Sequence, residues 1–111
     1  MGASKSDLFS DSQKEMAFMA KAIGHPARVA ILNYLHASKT CINSDLVQEL
    51  GLAQATISQH LRELKDIGLL QGTIEGASIC YCINAEKWAY MSQIFGNFFS
   101  EYSNLEKSTC C

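Results

Sequence analysis

The sequence holds little that would advertise chemistry of its own. None of its 111 residues form a Gly-rich phosphate loop, a zinc-hydrolase pattern or a nucleophile elbow, so nothing in it argues for an enzyme. Its five cysteines, at 41, 80, 82, 110 and 111, form no Cys-x-x-Cys or similarly compact ligand set. A small metal chaperone would need one. No apolar run reaches the roughly 18 residues of a membrane span. Residues 1–11 are polar and carry no apolar core of the secretory type, which leads to the expectation of a cytoplasmic protein with no membrane partner. An odd number of cysteines without an export signal argues for reduced thiols rather than a disulfide scaffold. Basic excess is missing too: 9 Lys and Arg stand against 11 Asp and Glu, a net charge of −2. Bulk charge therefore does not point to nucleic acid. Local charge on a docking face decides that question instead.

What the chain does have is apolar residues, 48% of the total against 18% charged. That balance belongs to a folded chain, and the length suits one domain. Residues 1–12, rich in Ser, Asp and Lys, read as a flexible arm. Met16, Met19, Ala20 and Ile23 recur at helical spacing within a first helix over residues 13–23. Gly24-His25-Pro26 breaks it, with Pro26 opening the next helix. That second helix, over residues 27–36, carries Val29, Leu32 and Leu35 on one stripe. A third runs over residues 44–50 and ends at Gly51. A fourth covers residues 54–67, with Ile57, Leu61 and Leu64 at i, i+4 and i+7, and closes at Gly68. Two alternating runs, residues 69–75 and 78–83, flank Gly76-Ala77 as a hairpin. A long last helix spans residues 85–105. The predicted architecture is mainly α with a small β-hairpin, in the order ααααββα. Its one domain covers residues 13–105, and a tail follows at residues 106–111.

The informative stretch is DLVQELGLAQATISQHLRELKDIGLL, from Asp45 to Leu70. Two short amphipathic helices meet at a tight turn and a hairpin follows at once. This is the arrangement of a winged helix-turn-helix, whose first helix braces the second at a steep angle for entry into the major groove. With Ile57, Leu61 and Leu64 inward, the outward face holds Gln54, Thr56, Ser58, Gln59, His60 and Arg62. Amides and hydroxyls pair with base edges, and Arg62 reaches guanine or phosphate. No carboxylate interrupts the chain between Glu49 and Glu63. The competing reading is an ordinary solvated polar face.

Residues 16 to 95 resemble the ArsR/SmtB-type family of bacterial winged-helix repressors. The likeness is carried by AKAIGHPARVAILNYL, by DLVQELGLAQATISQHLRELKDIGLL and by the hairpin ending SICYCIN. It implies a homodimer that binds double-stranded operator DNA, represses transcription and lets go when a metal, metalloid or thiol-reactive signal arrives. Carried over by position, DNA contacts fall on Gln54, Ala55, Thr56, Ser58, Gln59, His60 and Arg62. Two departures stand out. Ala53 occupies the cap where the family often has Ser, a loss of about 0.5–2 kcal/mol that Thr56 or its neighbours would compensate. The wing tip Glu75-Gly76-Ala77-Ser78 lacks the arginines common there, which leaves the backbone amides of Gly76 and Ala77 as its donors.

Along the last helix Trp88, Met91, Phe95, Phe98, Tyr102 and Leu105 form a heptad-like seam. Trp88 and Met91 read as core. Phe95, Phe98, Tyr102 and Leu105, with Met16, Met19 and Ile23 of the first helix, read as the homodimer interface, since each such side chain is worth about 1.5–3 kcal/mol when buried. Two-fold pairing would set two recognition helices about 34–36 Å apart, one turn of DNA.

The family's Cys-x-Cys-Asp-Leu metalloid site is absent: Ile42, Asn43 and Ser44 precede Asp45-Leu46, and Cys41 lies one residue out of register. The Asp and His site of the last helix is absent as well, because no histidine follows His60. Asn33 stands where persulfide-sensing relatives carry a cysteine. Cys80 and Cys82 share a strand face with Cα atoms about 6.6 Å apart, marginal for a disulfide, and read as small hydrophobes. Cys110-Cys111 on a polar tail suits a soft ion such as arsenite, with Cys41 as a third thiolate. A redox- or persulfide-responsive repressor, and a winged helix that binds protein, remain as alternatives. His25 reads as a cap or packing residue, and His36 as a partner of helix-end carbonyls.

Overall fold

A computed structural model of the chain describes residues 8–37, 45–75 and 78–101. Helix α1 spans Asp11–Ile23 and begins two residues earlier than the apolar spacing suggests. Ser10 is the reason. Its hydroxyl accepts from the Gln13 amide at 3.1 Å, while the Gln13 side chain accepts from the Ser10 amide at 2.9 Å. This reciprocal pair satisfies two N–H groups that the helix start would leave open. Helix α2, Pro26–Ala37, starts at the proline as expected. His25 caps it, accepting the Ala27 amide on Nδ1 at 3.0 Å.

Helix α3, Asp45–Leu50, and helix α4, Gln54–Asp66, are joined by three residues. Gly51 makes that join possible because its φ of 67° is left-handed, a region other residues enter at a cost. At the far end of α4 the chain closes in a Schellman turn around Gly68, whose φ is 88°. The Leu69 amide donates to the Leu64 carbonyl at 3.1 Å and the Gly68 amide to Lys65 at 2.9 Å. Leu64 and Leu69, both buried, supply the apolar contact that accompanies this motif. Strands β1, Leu70–Glu75, and β2, Ser78–Ile83, then pair antiparallel, with Leu70 opposite Ile83 and Glu75 opposite Ser78. Helix α5, Ala85–Ser100, is capped by Asn84, which accepts from the Lys87 amide at 3.4 Å. Asn84 also donates to the Gly68 carbonyl at 3.0 Å, tying the wing's end to the end of α4.

One core holds these elements together. Met19 of α1, Ile31, Leu32 and Leu35 of α2, Ile57, Leu61 and Leu64 of α4, Leu69, Leu70 and Met91 form a single buried cluster. The predicted winged helix-turn-helix order is therefore the observed one.

Three expected stripes shift in detail. Val29 is 47% exposed and Ile31 takes its place, because residues 28, 31, 32 and 35 follow i, i+3, i+4, i+7 on one face and residue 29 falls beside it. Trp88 is 37% exposed rather than core and stacks on His36 at 5.8 Å between ring centroids. Met19 is 2% exposed within its own chain and has no surface left to offer a partner. Among the described residues α5 stops at Ser100, and Tyr102 and Leu105 lie outside them. Cys80 is buried and Cys82 half-buried, both as free thiols.

Candidate nucleic-acid interface

Helix α4 turns Ile57, Leu61 and Leu64 into the core, which leaves Gln54, Ala55, Thr56, Gln59 and Arg62 exposed and Ser58 half-buried. The exposed side is preorganised along its length. Gln54 donates through Nε2 to the Ser58 hydroxyl at 3.0 Å, and Gln59 donates through Nε2 to Glu63 Oε1 at 2.8 Å. Both are one-turn contacts that fix rotamers without consuming a full amide. Among the described residues Arg62 has no ion-pair partner, so its guanidinium is available to an incoming anion.

The start of α4 bears no acidic residue in its first turn, and Ala53 supplies no side-chain cap. No Thr56 side-chain bond takes over that duty among the described residues. Open amide N–H groups at a helix start attract phosphate, since they carry the positive end of the helix dipole. What reads as a lost cap in the sequence is thus an uncovered donor set.

His60 departs from the expected outward face. It is only 9% exposed and accepts the Arg28 Nε–H on Nδ1 at 3.0 Å. The His25 ring lies against it, 4.6 Å between centroids and tilted by 55°. Burial, the Arg28 charge and the nearby His25 all lower its pKa below the usual 6.5, so the neutral ring that can accept this bond is the favoured form. The physical reason for its inward turn is spacing. Residues 57, 60, 61 and 64 follow i, i+3, i+4, i+7, the stripe of a core-facing helix.

Arg28 is the residue that sequence reasoning missed. Its Nη1 donates to the Ala22 carbonyl at 2.7 Å, and Nη2 pairs with the Glu63 carboxylate. The pairing leaves the carboxylate nearest the reading face neutralised. The signal was there: Arg28 stands at the i position of the stripe completed by Ile31, Leu32 and Leu35. A charged residue on a core stripe needs partners from other elements.

Gly76 and Ala77 at the wing tip lie outside the described residues, as do Cys41, Cys110 and Cys111. Met16 of α1 lines an open cleft with Ile94 and Phe98 of α5. Tyr90 closes one part of the α1–α5 contact by donating to Glu15 at 2.7 Å. On α5, Phe98 and Phe99 are exposed, Phe99 by 69%, and their rings meet edge to face at 5.3 Å. Ile23 and Phe95 are half-buried against the core.

The family model described as "Bacterial regulatory protein, arsR family" matches residues 25–71. The chain is 33% identical over 75 residues to the HTH-type transcriptional regulator YgaV of Escherichia coli, covering 68% of this chain and 76% of that one. It is 30% identical over 82 residues to the arsenical resistance operon repressor of Staphylococcus xylosus, covering 74% and 78%. Its fold is similar to that of an ArsR-like transcriptional regulator from Rhodococcus, with a TM-score of 0.68 over 81% of this chain and 82% of the other at 22% identity.

Proposed function

The chain belongs to the ArsR family of bacterial regulatory proteins, and from that premise we propose that it is a transcriptional repressor that reads operator DNA with α4. The outward row of Gln54, Thr56, Ser58, Gln59 and Arg62 carries this reading, set on a helix that the core immobilises. Gln offers the paired donor and acceptor that match adenine in the major groove, and Arg the fork that matches guanine or a phosphate. The backbone of Ala55 and its neighbours at the uncapped helix start meets a phosphate. Gly76 and Ala77 contribute backbone amides from the wing.

The protein works as a two-fold dimer. Met16, Ile23, Phe95 and Phe98 stand on α1 and α5, where Met16 and Phe98 line an open cleft and Phe98 is 47% exposed, apolar surface that a second copy would cover. Tyr102 and Leu105 extend that seam in sequence. Pairing through this side spaces two α4 helices about one DNA turn apart.

A thiophilic signal such as arsenite releases the DNA. Among the described residues no three His, Cys, Asp or Glu side chains group as a metal site. The soft donors left for it are Cys110, Cys111 and Cys41, and the Staphylococcus relative is named for arsenical resistance. No helix among the described residues is long and apolar enough to cross a membrane.

Two titrations test the proposal. Binding to a mixed duplex pool should weaken steeply with salt, because phosphate contacts release counterions. A flat salt response would favour a protein-binding winged helix. Arsenite should free the wild type from its DNA but not the Cys110→Ser, Cys111→Ser double variant. Equal release from both would remove the tail thiols from the account.

A further inference from the structure

Arg28 lies in the first turn of α2, outside the helix that faces the groove, yet its guanidinium joins three helices. Nη1 holds the Ala22 carbonyl in the last turn of α1, Nε holds His60, and Nη2 holds Glu63 of α4. The Arg28 side chain is 15% exposed, so its stem and inner contacts are largely buried while its Glu63 partner, 41% exposed, sits at the rim. A planar five-donor fork can serve three partners at once, whereas a lysine ammonium on a flexible stem cannot.

The chain of contacts continues to the reading face. The second oxygen of Glu63 accepts from Gln59 Nε2 at 2.8 Å. An ionised carboxylate only accepts, so the Glu63 contact dictates which end of the Gln59 amide is nitrogen. One Nε2 hydrogen is committed to Glu63. The other hydrogen and Oε1 stay free, and these are the donor and acceptor that adenine's N7 and N6 require.

We propose that Arg28 is a positioning residue for sequence readout: through Glu63 it holds the Gln59 amide in one orientation, and through His60 and Ala22 it fixes α4 against the α1–α2 corner. The inference rests on the DNA-reading role of α4 and adds the residue outside α4 that sets its base preference. Arg28 touches no base itself. Its pairing with Glu63 also keeps an unbalanced carboxylate away from the phosphates.

The test uses the full chain and a randomised duplex pool, from which bound sequences are recovered for the wild type, Gln59→Ala, Glu63→Gln and Arg28→Lys. Gln59→Ala identifies the base pair that Gln59 reads. At that pair, Glu63→Gln and Arg28→Lys should each lower discrimination about tenfold, within the range of a bidentate contact. The Glu63→Gln, Gln59→Ala double variant should be no flatter than Gln59→Ala alone, and Glu63→Gln should melt like the wild type. A merely structural Arg28 would lower affinity evenly at all positions and leave the preference intact; that result overturns the proposal. Should Arg28→Lys fail to fold, Glu63→Gln decides, since its side chain is 41% exposed and tolerates the change. A wild type that enriches no sequence at all overturns the DNA-reading role itself, a separate and visible outcome.

Discussion

Replacing Gly68 by alanine isolates the turn that sends the chain from the reading helix into the wing. Gly68 has a φ of 88°, and a Cβ added there would meet nothing closer than the Lys87 side chain at 4.0 Å. Steric conflict with the rest of the fold is therefore absent, and the cost is the backbone conformation alone. An L-residue held in the left-handed region loses about 1–2 kcal/mol. Asparagine tolerates that region better and should lose about half as much or less. At roughly 4–8 °C per kcal/mol for a domain of this size class, the alanine variant should melt about 4–16 °C lower. Thermal and urea denaturation followed by circular dichroism, at one fixed protein concentration, measures both variants against the wild type. If alanine leaves the midpoint unchanged, or asparagine costs as much as alanine, the conformational reasoning is wrong.

Other consequences follow from the same contacts. His60 has its pKa lowered by burial first, then by Arg28 and His25. The folded state therefore binds this proton less readily than the unfolded chain. Its contribution to stability is complete above the unfolded pKa of about 6.5 and is lost as pH falls toward the lower folded value. Urea midpoints should drop between pH 7.5 and 5.5, and less so for His60→Asn, whose carbonyl still accepts from Arg28; an equal slope in both removes His60 as the cause. Phe98, 47% exposed on α5, should govern assembly. Phe98→Lys should raise the dimer dissociation constant at least tenfold in sedimentation equilibrium, and an unaltered constant would move the interface elsewhere.

Much of this fold was legible because its boundaries rest on local chemistry. Gly51 and Gly68 end the two helices of the motif, Pro26 opens α2, and the spacing of Ile57, Leu61 and Leu64 orients α4. The hairpin registers where its alternation suggests. Residue type and position disagree at two places. His60 is polar yet sits on the inward stripe of Ile57 and Leu61, and Val29 is apolar yet lies off the stripe that runs through Arg28 and Ile31. Arg28 and His60 stand at these two core-facing positions and satisfy each other, a pairing that single-helix periodicity cannot reveal. Ser10 extended α1 through a reciprocal cap that lies outside the apolar pattern. Met16 and Met19 share one face of α1, yet Met19 is buried and Met16 half-buried, a difference that tertiary packing alone makes.

DNA binding depends on the exposed side of α4. The direct measurement is fluorescence anisotropy of a selected duplex with the Gln59→Ala, Arg62→Ala double variant at fixed ionic strength. Two lost base or phosphate contacts at about 1–3 kcal/mol each should weaken binding by roughly 30-fold or more, with melting temperature held at the wild-type value. Wild-type affinity in that variant would contradict the assignment of α4 as the surface that meets DNA.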